Sequence, residues 1–398
     1  MAALSVVTAV LVSVGVILLV LAAVLLIEIG VAALPTRVSS STQRAPRPRI
    51  AVLVPAHDEA LGIAETLRGI KRQLAPEDRL LVVADNCTDA TGEIAESLGA
   101  EVIRRVDAER RGKSYALDFG VSHLSGAPPD VVIVVDADCT LDAGCLGTIG
   151  ALAFESGRPV QARYELLPPP AGQVSPRLGI AVFAVKVKNG LRPEGLRRLG
   201  LPCQLTGTGM AFPWSAISKA NLGSGELAED LVLGLDFARA GLPPLFCPQA
   251  RVTSVFPVSA EGLKTQRARW ETGHLATIFS RVPALIWEAV RTRNAPLLAL
   301  ALDAAVPPLA LNALALFAVI VVAAAAAVTT GVFAPLAVSA AAAACFGIAI
   351  AVAWLKSGRD NITFFELATA TAYAISKMPL YAQVFRGKRI SWIRSKRD

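Results

Sequence analysis

Apolar positions gather in two blocks at the ends of the chain and alternate with polar ones between them. Leu4 to Ile27 is an uncharged run, and from Pro296 to Leu355 the only charged side chain is Asp303. At about 1.5 Å per residue the first run crosses a hydrocarbon core of roughly 30 Å, so residues 1–35 are expected to hold a membrane helix. A cleaved leader would have a shorter apolar core behind a basic start, and neither feature is present. In the second block, Leu309–Thr329 and Val332–Leu355 are each long enough to span, with a short uncharged turn around Gly331. They predict a helical hairpin within 296–355. Phe364–Phe385 carries Glu366, Lys377 and Pro379 and runs into the basic RGKRISWIRSKRD. For residues 356–398 this favours an interfacial helix and a basic tail over a further crossing.

The middle of the chain has a different rhythm. Short runs of β-formers (IAVLVP, LLVVAD, AEVIRR, VVIVVD) are each followed by a helical stretch, near Ala60–Gln73, Ala90–Leu98, Ser114–His123 and Ala143–Phe154. This order predicts an α/β domain over 49–258, doubly wound around a mostly parallel sheet. Right-handed crossovers then bring the carboxyl ends of the strands to one edge, where ligands bind in open sheets.

Composition supports the division. With 54 % hydrophobic and only 18 % charged residues among 398, the chain is too apolar to be wholly soluble. Arg37, Arg44, Arg47 and Arg49 follow the first apolar run and no basic residue precedes it, which puts the α/β domain in the cytoplasm and makes the chain a multi-pass protein of the plasma (inner) membrane. The six cysteines form no C-x-x-C pair, so they suggest neither a zinc site nor a disulfide framework. The net charge of +7 comes largely from juxtamembrane clusters, which suit membrane lipids rather than nucleic acid.

The expected strand ends are acidic: PAHDEA, ADNCTD and DADC. Asp58 and Glu59 could open a helix, and Asp85 and Asp89 could cap one. Asp136 and Asp138 ask for more. Two carboxylates one residue apart after a buried strand suit a hard cation whose remaining ligands are diphosphate oxygens. In RRGKSYAL, Lys113 follows Gly112 at a helix start, where N–H groups and an ammonium suit phosphate. There is no G-x-x-x-x-G-K-[ST] and no G-x-G-x-x-G, so neither a P-loop nor a dinucleotide fold is indicated. CQLTGTGMAFPW contributes the flexible Gly207-Thr208-Gly209. GELAEDLVLGLDFARAG places Glu229 and Asp230 before a helical pattern, and LKTQRARWETGH carries Gln266, Arg269 and Trp270 within 259–295, a segment expected to hold interfacial helices.

Taken in order, PAHDEA, ADNCTD, GKSYAL, DADC, TGTGM, AED and QRARW resemble the membrane-integrated family 2 glycosyltransferases, the group of the cellulose, chitin and hyaluronan synthases. The resemblance covers about Arg49 to His274. It implies a GT-A fold and an inverting, metal-dependent transfer from a nucleotide-sugar, with a UDP-sugar the expected donor. On that basis Glu59 and Asp85 contact the nucleoside, Asp136 the ribose, Lys113 the phosphates, and Asp138 ligates Mg2+ or Mn2+. Asp230 is the implied base. Gln266 and Arg269 close over the donor diphosphate, while Trp270, with Gly207, Thr208 and Gly209, faces the acceptor.

The expected product is a cell-envelope polysaccharide or a glycolipid, made on a saccharide or lipid-linked acceptor. The alternative is one addition to a polyprenyl-phosphate or other lipid. Few spans are present for a self-contained polymer channel, which leaves a small one, or one completed by a homo-oligomer or an export partner. A nucleotidyltransferase would need a glycine-rich loop where PAHDEA stands. A transporter would show more intramembrane polar sites than Asp303 and Asn312.

Overall fold

The computed structural model describes residues 2–35, 47–169 and 175–368, together with positions 374, 375, 377, 378 and 381. Most of the expected interfacial stretch Phe364–Phe385, the basic tail, and Arg37 and Arg44 lie outside the described residues.

The apolar runs of the middle region form the strands β1 (Ile50–Ala56), β2 (Arg79–Asp85), β3 (Glu101–Arg105) and β4 (Val131–Val134), paired in parallel in the order β3-β2-β1-β4. Successive side chains on a strand face opposite ways, and here both faces are covered. Val52 and Val54 join one core with Ile63, Leu67 and Ile70 of α2 (Ile63–Lys71). Ala51 and Leu53 join the other. Behind β2 comes α3 (Thr91–Ser97); α4 (Lys113–Leu124) supplies Leu117, Val121 and Leu124 to the second core, and α5 (Cys145–Ser156) supplies Leu146 and Ile149 to the first.

Beyond β4 the sheet departs from the expected parallel order. Strands β5 (Thr140–Leu141), β6 (Val160–Leu167), β7 (Met210–Pro213) and β8 (Leu245–Val255) complete eight strands in the order β3-β2-β1-β4-β7-β6-β8-β5. β7 runs antiparallel to both β4 and β6, and β5 antiparallel to β8; only β6 and β8 pair in parallel. MAFP is a short, wholly buried apolar run after the TGTG stretch, and nothing in it indicates which strand it joins or in which direction. The result is a mixed GT-A sheet whose parallel half ends at the DADC edge.

Between β6 and β7 lie α6 (Pro176–Lys186), a π-helical turn (Val187–Leu191) and α7 (Arg192–Arg198). The one-turn α8 (Trp214–Ile217) follows β7, and α9 (Glu229–Arg239) precedes β8. After β8 come α10 (Ala260–Ser280), which carries QRARW, then α11 (Val282–Thr292) and α12 (Ala295–Ala305).

Among the described residues, three helices are long and apolar enough to cross a membrane. They lie in α1 (Ala2–Ala33), α13 (Leu309–Thr330) and α14 (Ala334–Ala353), which continues as a π turn to Gly358; a short α15 (Phe364–Ala368) follows. α13 and α14 form the expected hairpin around Gly331, and α1 packs along α14. Ahead of the hairpin, Pro296–Ala305 lies in α12, whose Leu297, Leu300 and Ala304 pack against Leu231 and Leu235 of α9 and Leu285 of α11.

α1 is also fastened to the α/β domain. Glu28, 2 % exposed, accepts from Arg192 Nε at 2.7 Å, and Arg192 also donates to the carboxylate and carbonyl of Asp303. Gln204 Nε2 donates to the other Asp303 oxygen at 2.8 Å. Buried charges persist when paired, and here Arg192 joins both acids, although Glu28 Oε1 has no hydrogen-bond partner among the described residues. Beside them α7 meets α1 at Gly195, where a Cβ would fall 1.9 Å from the Glu28 carbonyl oxygen, so only glycine permits this approach.

Candidate active site

The carboxyl ends of β1, β2 and β4 open onto one cavity of about 310 Å3, closed by the starts of α4 and α9 and by α10. Glu59, Asp85, Lys113, Asp136, Asp138, Gly207, Asp230, Gln266, Arg269 and Trp270, all singled out above, line it. Residues 211 positions apart in the chain thus share one wall: Glu59 follows the first strand, and Trp270 rides on α10.

The acidic turn is held from behind. The Thr66 hydroxyl donates to the Ala137 carbonyl at 2.9 Å, and the Asp136 N–H donates to Thr208 Oγ1 at 3.1 Å. Fixed at its backbone, the turn leaves the Asp136 and Asp138 carboxylates on the cavity side. Oxygen donors of this kind fit Mg2+ or Mn2+.

Lys113 Nζ donates to the Asp136 carboxylate and, at 2.6 Å, to the Gly207 carbonyl. Burial works against its charge, but Asp136 and Glu229 prevail and hold the ammonium above its ordinary pKa. Asp85 is 6 % exposed and bonded to Arg105 Nη1 at 2.7 Å and to Asn86 Nδ2 at 3.0 Å. Gln266 is buried, and its Oε1 accepts no hydrogen bond among the described residues.

At the start of α9, Asp230 Oδ1 accepts from the Leu231 N–H at 2.8 Å. Its other oxygen reaches Gly207, whose φ is +92°; a Cβ there would stand 3.3 Å from Asp230 Oδ2 and 3.5 Å from Lys113 Nζ. Gly207 is therefore glycine for both backbone conformation and space.

Two expected acceptor contacts are corrected. Thr208 is fully buried, bonded to the Asp136 N–H and to Cys139 Sγ, and Gly209 packs against Val252 and Ala162; neither lines the cavity. The tight turn at Gly207 directs the next two residues behind the acidic turn, where they support it.

Residues given no role on sequence grounds also face the cavity. Glu229 has its pKa pushed up to about 7, by burial first and then by Asp230, so it is held as a neutral acid more readily than an ordinary carboxyl. Its position beside Asp230 in AED was the available signal. Arg111 lines the same wall, as do Lys188 and His274. Burial, then the Lys188 charge, push His274 down to a pKa of about 3, and the neutral ring donates from Nε2 to the Ala304 carbonyl at 2.9 Å. Nothing local marks Lys188, which lies in the apolar-rich IAVFAVKVKNG.

Residues 46–273, more than half of the chain, match the family described as Glycosyltransferase like family 2, and the chain belongs to that family. It therefore carries a family 2 glycosyltransferase domain with a GT-A fold. Among curated relatives it is 28 % identical over 241 residues to the probable glycosyltransferase YdaM of Bacillus subtilis, covering 57 % of this chain and 55 % of the relative, so it spans about half that protein's length. It is 36 % identical over 94 residues to a 4,4'-diaponeurosporenoate glycosyltransferase of Staphylococcus aureus, which is 23 % of this chain and 24 % of that one. Among solved structures it resembles the mannosyltransferase PcManGT of Pyrobaculum calidifontis, determined with GDP-Man and Mn2+. That match has a TM-score of 0.58 at 21 % identity and covers 95 % of this chain and 100 % of the other.

Proposed function

We propose that this glycosyltransferase moves a sugar, with inversion, from a nucleotide-sugar to an acceptor hydroxyl at the cytosolic face of a membrane. The observation that carries the reading is the convergence of Lys113, Asp136, Asp138, Arg269 and Asp230 on one cavity. Asp138 would hold Mg2+ or Mn2+ with the donor diphosphate and Asp136 the donor ribose, and the bound cation would offset the charge that develops on the leaving nucleoside diphosphate. Glu59 and Asp85 would take the nucleoside end. Lys113 would turn from Asp136 toward the phosphates as the donor enters, and Arg269 would approach them from α10.

Asp230 is the base in this scheme. Its carboxylate faces the cavity beside Gly207, on the side where an acceptor hydroxyl can lose its proton as the oxygen attacks the anomeric carbon. Trp270 offers an apolar ring to a sugar face.

The acceptor is a saccharide or a lipid-linked one. The three candidate spans among the described residues favour a single or short extension over a self-contained polymer channel, and product length decides between them. The test uses the purified chain with Mn2+ and a panel of UDP- and GDP-sugars. Asp230→Asn should retain donor binding and lose about 100-fold in nucleoside diphosphate release; a fully active variant would move the base elsewhere.

A further inference from the structure

A second cavity, of about 610 Å3, adjoins the first. Val185, Lys188, Trp270 and His274 line both. Its walls are otherwise largely apolar and come from α6, the α12–α13 junction and the hairpin: Phe183, Val306, Leu309, Phe346, Ile350 and Trp354 among them. Its volume is that of a site for a small organic molecule, and two of its walls belong to helices long enough to span a membrane.

The charges around it are mostly settled. Arg192 is taken up by Glu28 and Asp303, Lys377 pairs with Glu271, Arg267 lies over the Phe256 ring at 5.7 Å, and His274 is held neutral. Lys188 differs. Among the described residues it has no hydrogen-bond or ion-pair partner, and the surface it shows is shared between the two cavities. It stands on the π turn Val187–Leu191, an irregularity that often marks a functional position and that breaks the helical register between α6 and α7. Its enclosure pulls its pKa down against the opposing pull of the Asp230, Asp303 and Glu271 carboxylates, and an anion at the junction would add to theirs in favouring the ammonium.

From this juxtaposition we infer that the acceptor is an anionic amphiphile: its chain lies in the apolar cavity, its phosphate or carboxylate is held by Lys188, and its hydroxyl reaches Asp230. The inference rests on the reading of the first cavity as the site of transfer, and it names the acceptor class for that site. Lys188 is here a specificity-determining residue. An uncharged lipid would exclude water from the ammonium, which lies open to the cavities, and offer it no opposite charge in return, which disfavours it relative to an anion.

The full chain in nanodiscs of phosphatidylcholine provides the test, with bromine-tipped dodecyl phosphate, dodecanoate and dodecanol as probes. Bromine quenches tryptophan, and Trp270 and Trp354 line the cavity. At least one anion should quench saturably, with dodecanol about tenfold weaker or more. Lys188→Met should weaken the anion by about the same factor without moving dodecanol, and Lys188→Arg should recover most of the binding. A preference for the phosphate probe identifies a lipid phosphate, and the reverse a lipid carboxylate. Equal binding of alcohol and anion, or anion binding indifferent to Lys188→Met in a variant that unfolds at the wild-type temperature, would reduce the cavity to a structural lipid site and overturn the inference. Mn2+-dependent UDP and GDP binding on the same discs reports the first cavity separately. If it is lost while anion binding persists, the donor reading fails; if it is intact with lipid binding independent of Lys188, this one does.

Discussion

Replacing Gly207 with alanine perturbs the candidate active site through two separable effects. The first is in the backbone: at φ +92° an L-residue is strained by roughly 1–3 kcal/mol. The second is in the site. The new Cβ would stand 3.3 Å from Asp230 Oδ2, tighter than ordinary contact, so the carboxylate must give by a few tenths of an ångström. If a displacement of about 1 Å costs about 100-fold, a shift of that size costs roughly fivefold in turnover. Gly200→Ala is the control, because φ there is +72° and nothing stands within 4 Å of the added carbon. Both variants should unfold at lower temperature by similar amounts, but only Gly207→Ala should release nucleoside diphosphate more slowly under saturating donor and Mn2+. Equal turnover in the two variants would refute the placement of Asp230 against Gly207 as the reacting geometry.

Arg192→Met strands Glu28 and Asp303 in the interior and should destabilise the detergent-purified protein by about 3–5 kcal/mol, with partial recovery in Glu28→Gln/Arg192→Met/Asp303→Asn; an unchanged unfolding temperature for the single variant would contradict the fastening of α1 by this network. His274 has a folded pKa of about 3 against 6.5 for the free group, so its stabilising effect is complete above pH 6.5 and declines as the pH falls. At pH 5 the loss is roughly 2 kcal/mol, and His274→Gln should flatten unfolding-temperature curves between pH 6.5 and 5, whereas parallel curves would count against a buried neutral ring. EDTA should abolish turnover and Mn2+ restore it; turnover that survives chelation would remove the cation from Asp138.

Much of the architecture was legible from periodicity. The runs IAVLVP, LLVVAD and VVIVVD became buried strands, because residues covered on both faces must be apolar throughout, and the long uncharged runs became helices of spanning length. The acidic residues after those strands also share a cavity, since parallel strands joined by right-handed crossovers put their carboxyl ends on one edge.

The features that escaped depend on partners remote in the chain. Periodicity reports whether a residue is buried but not against what, and so the antiparallel pairing of MAFP with VVIV was not readable. Nor was the use of Glu28 and Asp303, which as isolated acids in apolar runs gave no hint that Arg192 joins them. Thr208 and Gly209 looked like the rest of a flexible loop until the turn at Gly207 directed them behind the acidic turn. Lys188 was one cation in an apolar helix. Its place between two cavities exists only because α10 and the hairpin close around the π turn, and no property of its own sequence neighbourhood encodes that closure.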